Sequence, residues 1–217
     1  MPGKDRLLLV GHPHHLVRKS RDQKPVFLDE ADYTHCLGQI RALSQQYELA
    51  IHAFCLLPDG LHILATPLGD PGNLSRFMKA LSCSASSRRK RLHGATSVWE
   101  VRYRSSPVEP GQWMLACICY IERLPVTQRL ASSAYHYHRS SYRMRLGKTH
   151  QYWLEDPEEY TRLGGSIEDR AEAYRMYMSN GLDPHEEKMI DTAVKRCRLT
   201  GSRHFVREVY RKYGVLG

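Results

Sequence analysis

Two short stretches of the sequence carry residue types that suit contact with a nucleic acid. One is the basic run Arg88-Arg89-Lys90-Arg91, and the other is Tyr135-His136-Tyr137-His138-Arg139, which interleaves four rings with a cation. Arginine and lysine neutralise phosphates, and aromatic rings stack on unpaired bases. The same residues also suit a solvated helix end and a cluster of surface rings under a loop. These two stretches alone therefore leave both interpretations open.

The whole chain carries a surplus of positive charge. Its 217 residues include 32 Lys and Arg against 23 Asp and Glu, which gives a net charge of +9 and an isoelectric point near 9.3. Each phosphate that a cation neutralises releases condensed counterions, so such a surplus favours a polyanionic partner. A basic protein without such a partner is the alternative that charge alone leaves open.

Histidines and cysteines are the residues that could ligate a metal ion. The adjacent pair His14-His15 could be half of a metal site, but the sequence shows no partner for it. The six cysteines have neither a Cys-x-x-Cys pair nor zinc-finger spacing, and we expect them to be small buried residues in a reducing compartment: Cys36, Cys55, Cys83, Cys117, Cys119 and Cys197. No apolar run reaches the ~20 residues that span a bilayer, and the first apolar stretch is too short for a signal peptide. The sequence therefore predicts a cytoplasmic protein.

The spacing of apolar residues predicts the elements that would position these side chains. Asp29 is a good N-cap, and apolar residues at intervals of three or four follow it to Tyr47, which predicts an amphipathic helix. The predicted order is strand 12–19, helix from Asp29, strands 49–57 and 61–66 joined by a tight turn, helix from Asn73, strand 98–104 and helix from Pro110. This order indicates an α+β fold with a ferredoxin-like antiparallel sheet, helices on one face, and the other face free for a ligand.

The second half of the chain has a different character. Residues 126–165 are rich in Ser, Tyr, His and Arg without clear periodicity, which predicts mostly loop. Residues 167–217 have helical spacing, with Asp183 as an N-cap and Gly201 as a break. We therefore expect one domain over residues 1–150 and a C-terminal helical extension over residues 151–217.

Six short strings, spread over nearly the whole chain, resemble one family when they are read in order. They are His15 with the basic turn and Pro25-Val26-Phe27 after it, Phe54 to Leu64, Trp99 to Tyr103, Tyr120 to Val126, Ser140-Ser141-Tyr142, and Gly201 to Phe205. The second string looks like a Met-Pro-Asn-His-x-His strand, the third like Trp-x-Gly-Arg-Tyr, and the fourth like Tyr-Ile-x-x-Asn-Pro-Val. Together they resemble REP-associated tyrosine transposases, a branch of the single-tyrosine HUH transposases.

The resemblance implies a specific chemistry. Members of this family recognise imperfect DNA hairpins and nick single strands beside them, usually as dimers. A divalent cation, Mg²⁺ or Mn²⁺, is held by the two HUH histidines and polarises the scissile phosphate. The tyrosine hydroxyl then attacks and leaves a 5′-phosphotyrosine link. By this resemblance His62 is the second histidine of the motif and Tyr120 is the nucleophile, both within a transposase-like HUH domain over residues 1–150.

The resemblance also implies the partner and its surroundings. It implies a bacterial, nucleoid-associated homodimer that binds single-stranded or hairpin DNA. The basic residues that we expect to contact DNA phosphates are Arg18, Lys19, Arg88, Arg89, Lys90, Arg91, Arg102, Arg104 and Arg123.

The sequence departs from the family pattern at two metal ligands. Gly60 stands where the first HUH histidine is expected, and Leu124 stands where the third ligand is expected, four residues after the tyrosine. Neither residue can ligate a metal ion, which leaves His62 as a single weak ligand for a hard cation. Asp59 or His52 could substitute for a lost ligand.

Three functions follow from these observations. The favoured one is a transposase-like protein that binds single-stranded or hairpin DNA and is impaired in nicking or without it, so that no cofactor is needed. The second is an active single-strand nickase-ligase in which Tyr120 attacks with the help of a rebuilt Mg²⁺ or Mn²⁺ site. The third is a structural or protein-binding module whose basic face meets RNA or an acidic partner. A flat salt dependence of DNA binding would support the third.

Overall fold

A computed structural model describes residues 7–94, 99–149 and 152–214, and in these ranges the chain forms four strands and eight α-helices. The strands are β1 (His14–Lys19), β2 (Leu49–Leu57), β3 (Gly60–Pro67) and β4 (Arg104–Pro107). The helices are α1 (Glu30–Gln46), α2 (Asn73–His93), α3 (Gln112–Thr127), α4 (Tyr142–Arg145), α5 (Glu158–Thr161), α6 (Ile167–Asn180), α7 (Pro184–Lys195) and α8 (Arg203–Tyr213).

The four strands form one antiparallel sheet in the order β2-β3-β1-β4. With α1 between β1 and β2 and α2 between β3 and β4, this is the ferredoxin-like arrangement of a split βαβ fold. The α+β ferredoxin-like class predicted from the sequence is therefore confirmed. In the register of the sheet, Val17 of β1 pairs with His62 on one side and with Arg104 on the other.

Helices α1 and α2 cover one face of the sheet, as the apolar spacing predicts. The side chain of Asp29 accepts a hydrogen bond from the Asp32 amide at 2.8 Å and so caps α1. The stripe of α1 that includes Tyr33, Cys36 and Ile40 is buried, and it shares one apolar core with α2 and with alternate residues of the strands.

The opposite face of the sheet is covered as well, so the expectation of a free face is wrong. Helix α3 packs on β2 and β3, and Cys55 and Leu64 share an apolar core with Cys117 and Ile121. Helix α7 contacts β1 and β4 on the same side. All nine residues of β2 are buried, so both faces of this strand are covered. A strand that is buried on both faces has a continuous apolar sequence, whereas a strand with one free face alternates between apolar and polar residues.

The fourth strand begins later than the sequence pattern predicts. The predicted strand covered 98–104, whereas β4 covers Arg104–Pro107; Val98 lies outside the described residues. Trp99 forms only an isolated bridge with Ser20. The sequence of β4, Arg-Ser-Ser-Pro, has no apolar alternation, and its place is decided by pairing with β1.

The stretch predicted as mostly loop is fixed to the domain by a buried ionic network. It contains two short helices, α4 and α5, and Arg145 of α4 is fully buried. One carboxylate oxygen of Glu122 accepts hydrogen bonds from Arg145 Nε at 3.3 Å and Ser141 Oγ at 2.6 Å, and the other accepts from the Tyr174 hydroxyl at 2.7 Å. These bonds connect α3, α4 and α6.

The C-terminal part is helical, as its spacing predicts. Asp183 caps α7 through the His185 amide, and Ser202 caps α8 through the Phe205 amide. The division of the chain near residue 150 stays a prediction. Within the described ranges, every helix is too short or too polar to cross a bilayer.

Candidate functional site

Two histidines lie against each other on the sheet face that α3 covers. His15 comes from β1 and His62 from β3, and His15 Nε2 lies 3.0 Å from His62 Nδ1, with the ring centroids 5.1 Å apart. No residue near His15 in the sequence indicates this partner. The signal that could have found it is strand parity, because the antiparallel register pairs His15 with Leu64 and so places its side chain on the same face as His62.

Burial keeps both imidazoles neutral. It lowers the pKa of His15 to about 3, and it lowers the pKa of His62 well below its ordinary value, with nearby His15 and Lys19 adding to the effect. One neutral ring therefore donates its N–H to the other. Their remaining ring nitrogens, His15 Nδ1 and His62 Nε2, are buried and make no hydrogen bond within the described part of the chain.

Tyr120 on α3 lies beside this pair under a covering helix. Its ring meets the His15 ring edge-on, with the centroids 5.8 Å apart. Its hydroxyl donates a hydrogen bond to Asp191 Oδ1 of α7 at 3.3 Å, and the side chain is buried. Burial, followed by the negative charge of Asp191, raises the pKa of Tyr120 above its ordinary value. Asp191 was not among the predicted site residues, since no local pattern connects it to Tyr120.

The position of the missing HUH histidine has no room for a side chain. A Cβ atom built on Gly60 would lie 2.3 Å from the Arg18 carbonyl oxygen and 3.0 Å from Lys19 Cδ. The Lys19 side chain passes this point, and its ammonium binds Asp59 at 3.1 Å. A histidine at residue 60 therefore requires the β1 backbone to move, and Asp59 is already engaged with a cation.

The other candidate ligands are engaged or buried in the core. His52 Nδ1 binds the Glu155 carbonyl oxygen at 2.7 Å, and its Nε2 binds Thr66 Oγ1 at 2.8 Å. Leu124 lies on α3, and its side chain is buried in the core between this helix and the sheet.

These residues do not fit a hard divalent cation. His15 and His62 offer two nitrogens, and in the described ranges no third His, Cys, Asp or Glu ligand atom joins them. Mg²⁺ prefers several oxygen ligands in a near-octahedral arrangement. The histidine pair alone therefore does not form a site for Mg²⁺ or Mn²⁺.

A different group of three side chains could hold a metal ion on the opposite side of the sheet. Single ligand atoms of Asp29, Asp32 and His93 all lie within 4.8 Å of one another. This group is already used by the fold, because Asp29 caps α1 and Asp32 binds Arg88 Nε at 2.7 Å. His93 Nε2 lies 3.3 Å from Asp32 Oδ2.

Two of the arginines in the basic run of α2 have partners within the fold. Arg88 binds Asp32, and Arg89 donates to the carbonyl oxygens of Pro25 and Val26 at 2.9 and 3.1 Å. Lys90 and Arg91 are exposed. All four lie on α2, on the other side of the sheet from Tyr120. Reversal of charge at Arg88 or Arg89 would therefore break contacts of the fold as well as any contact with DNA.

The remaining predicted phosphate contacts fall in two places. Arg18, Lys19, Arg102 and Arg104 lie where β1 ends and β4 begins; Arg104 binds Glu100 at 2.9 Å, Arg18 stands over the Trp99 ring, and Arg102 is exposed. Arg123 lies apart from them on α3 and donates to the Met178 carbonyl oxygen at 2.5 Å.

The aromatic tract is divided between the core and the surface. The Tyr137 hydroxyl donates to the Leu56 carbonyl oxygen at 2.7 Å, and its ring is buried. Arg139 lies over the Tyr33 ring, 3.7 Å from its centroid. Tyr135 and His136 are exposed; their rings meet edge-on, and Arg143 lies over the Tyr135 ring.

The fold and site define the class of protein: a ferredoxin-like α+β domain with a histidine pair beside a helix tyrosine. Among solved structures it is similar to a REP-associated tyrosine transposase bound to a REP hairpin, with a TM-score of 0.59 and 17% identity over 72% of this chain and 93% of that chain. A candidate transposase from Deinococcus radiodurans R1 has a TM-score of 0.38 and 20% identity over 58% of this chain and 94% of that chain. No protein-family model and no curated protein matches the chain. The predicted resemblance is thus confirmed at the level of the fold.

Proposed function

We propose that this protein is a transposase-like protein that binds single-stranded or hairpin DNA and has lost metal-dependent nicking. The observation that carries the proposal is the closed position at Gly60, where a ligand side chain would collide with the Arg18 carbonyl oxygen at 2.3 Å. The net charge of +9 supports a polyanionic partner. The fold that the chain shares with a hairpin-bound transposase supports DNA as that partner.

The surroundings of Tyr120 support the loss of chemistry. A tyrosine hydroxyl is a weak nucleophile at neutral pH and needs a base, a lowered pKa or a metal ion. Here its pKa is raised, and its hydroxyl is bound to Asp191 beneath α7. Each of these features holds the phenol in its protonated, covered form.

An active nickase-ligase is the second candidate function, and one observation favours it. The neutral rings of His15 and His62 lie beside Tyr120, with facing nitrogens 3.0 Å apart. Such a pair could accept the phenol proton if α7 moved away from this face.

The test uses a fluorescent single strand that forms a hairpin with unpaired flanks, from the DNA beside the protein's own gene. Wild type and Tyr120→Phe are compared for binding by anisotropy, and for covalent adducts on a denaturing gel with Mn²⁺. We expect both proteins to bind and neither to form an adduct. An adduct that is absent only from the Tyr120→Phe lane would establish the nickase. Failure of the wild type to bind the hairpin would reject the DNA-binding proposal.

A further inference from the structure

Most of the net positive charge lies in one C-terminal segment. Residues 195–212 contain seven Lys and Arg and a single carboxylate, Glu208, a surplus of six in a chain with a net charge of +9. The cations are Lys195, Arg196, Arg198, Arg203, Arg207, Arg211 and Lys212. This segment was not among the predicted DNA contacts, which lie on the sheet, α2 and α3.

Helix α8, which carries four of these cations, is held firmly on the domain. Val209 is buried with Leu9 and Leu199, and Phe205 packs against the same cluster. Before the helix, both the amide and the hydroxyl of Ser202 donate to the Glu109 carboxylate, at 2.5 and 3.0 Å. The orientation of α8 relative to the sheet is therefore fixed by packing and by hydrogen bonds.

The outer face of α8 presents a line of arginines. Arg203, Arg207 and Arg211 are four residues apart, so they lie on one side of the helix over about 12 Å. All three are exposed, and in the described part of the chain Arg203 and Arg207 make no ion pair. Arg211 binds Glu208 at 2.8 Å, an exposed pair of the kind that contributes little free energy.

We propose that this outer face of α8 binds the phosphate backbone of duplex DNA, such as the stem of a hairpin. The inference rests on the proposed DNA-binding function and assigns the duplex to a surface remote in sequence from the predicted contacts. Phosphate contacts of this kind set the orientation of a protein on a duplex without reading its sequence.

The composition of the face decides between duplex and single strand. Proteins that hold single strands combine cations with Phe, Tyr or Trp rings on which bases stack. The outer face, made of Arg203, His204, Arg207 and Arg211, has none of these three residue types. Its length of about 12 Å is also similar to the width of the DNA major groove.

The burial of the apolar face decides against a lipid surface. A basic amphipathic helix binds membranes by inserting its apolar side between lipids. In α8 that side, including Phe205, Val206 and Val209, packs against Leu9 and the rest of its cluster. What α8 leaves exposed is mainly its cationic side, with Tyr213 at its last turn.

The test compares three full-length proteins by fluorescence anisotropy on a labelled duplex of about 20 base pairs, two helical turns, and on an unpaired strand of the same length. The first is wild type and the second is Arg203→Gln/Arg207→Gln/Arg211→Gln. The third is Lys79→Gln/Arg162→Gln/Arg175→Gln, which removes the same charge from exposed positions on α2, in the turn after α5, and on α6. Circular dichroism confirms that the variants are folded.

We expect the α8 variant to bind the duplex at least ~10-fold more weakly than the control variant, and its slope of log affinity against log salt to fall by about 2 to 3. Binding of the unpaired strand should change by less than about twofold, because base stacking supplies that contact. Equal affinity of the two variants for the duplex would overturn the assignment of α8, and so would an equal loss on both DNAs. If wild type binds neither DNA, the proposed function is rejected together with this inference.

Discussion

The hydroxyl of Tyr120 donates to Asp191 Oδ1 over 3.3 Å, which joins α3 on the sheet to α7 of the C-terminal part. The acceptor comes 71 residues later in the chain. Through this bond α7 helps to hold the Tyr120 phenol in its protonated form.

Removal of the charge at Asp191 should ease ionisation of Tyr120. The pKa of Tyr120 is raised first by burial and then by the charge of Asp191, so Asp191→Asn should lower it while leaving it above the ordinary value. Carbon NMR of ring-labelled tyrosine, with Tyr120→Phe to assign the signal, measures the titration. An unchanged titration would show that the two side chains do not interact in solution.

Substitution of Gly60 should destabilise the fold even when the new side chain is small. Because an added Cβ would lie 2.3 Å from a backbone oxygen, we expect Gly60→Ala to lower the free energy of unfolding by about 1–3 kcal/mol. Gly38→Ala is the matched control: it is exposed on α1 with nothing near its Cβ, and it should raise stability by about 0.5–1 kcal/mol. Urea denaturation measures both. If Gly60→Ala leaves the free energy of unfolding unchanged, the β1 backbone can move away from residue 60 at little cost, and a histidine could be restored at this position.

Buried neutral histidines should make the protein sensitive to mild acid. Burial lowers the pKa of His14 to about 4, and His14 Nε2 accepts a hydrogen bond from the Leu9 amide. In the unfolded chain this imidazole binds a proton below about pH 6.5, so its contribution to stability is present above that pH. It is lost as the pH falls from about 6.5 towards 4, at up to ~1.4 kcal/mol per pH unit.

In the variant His14→Gln, the free energy of unfolding should therefore fall less steeply with decreasing pH between about pH 6.5 and 5. The decrease in slope should correspond to nearly one proton fewer taken up on unfolding. His185→Gln, at an exposed position on α7, serves as the control for the replacement of a histidine by glutamine. Urea titrations at several pH values decide the matter. Identical slopes in wild type and His14→Gln would contradict the buried neutral state of His14.

The buried pair of Arg145 and Glu122 should be costly to break from one side only. Arg145→Met leaves the Glu122 carboxylate buried without its cation, and we expect a loss of about 3–5 kcal/mol of stability. The double variant Arg145→Met/Glu122→Gln should be less destabilised than this single variant, because it buries no unpaired charge. The amide oxygen of the glutamine can accept from Ser141, and its NH2 group can donate to the Tyr174 hydroxyl oxygen. Denaturant unfolding of all four proteins of the cycle measures the coupling. If the effects of the two substitutions on the free energy of unfolding are additive, Arg145 and Glu122 are not coupled.

Divalent cations should not stabilise the protein through the histidine pair. Since His15 and His62 gain no third ligand in the described ranges, about 1 mM Mn²⁺ should shift the Tm by less than ~1 °C. His62→Gln tests the origin of any shift. A stabilisation that disappears in this variant would indicate a rebuilt metal site and would favour the active nickase.

Much of the fold could be predicted because its determinants are local. The Asp29 cap, the apolar stripe of α1 and the turn between β2 and β3 each act over a few residues, and their order indicates the ferredoxin-like sheet. The clash that closes residue 60 could not be predicted, although the glycine itself is visible in the sequence. It depends on how closely the β1 backbone approaches β3, which no pattern of residue types encodes.

The sequence by itself determined the α+β class, the resemblance to a transposase family, the absence of two expected ligands and the surplus of positive charge. The tertiary structure decided that His15 meets His62, that Asp191 covers Tyr120, and that both faces of the sheet are packed. The physical reason is the range of the interactions. Periodicity and capping act between neighbours in the chain, whereas these contacts join residues 47 and 71 positions apart and exist only once strand register and helix packing are set.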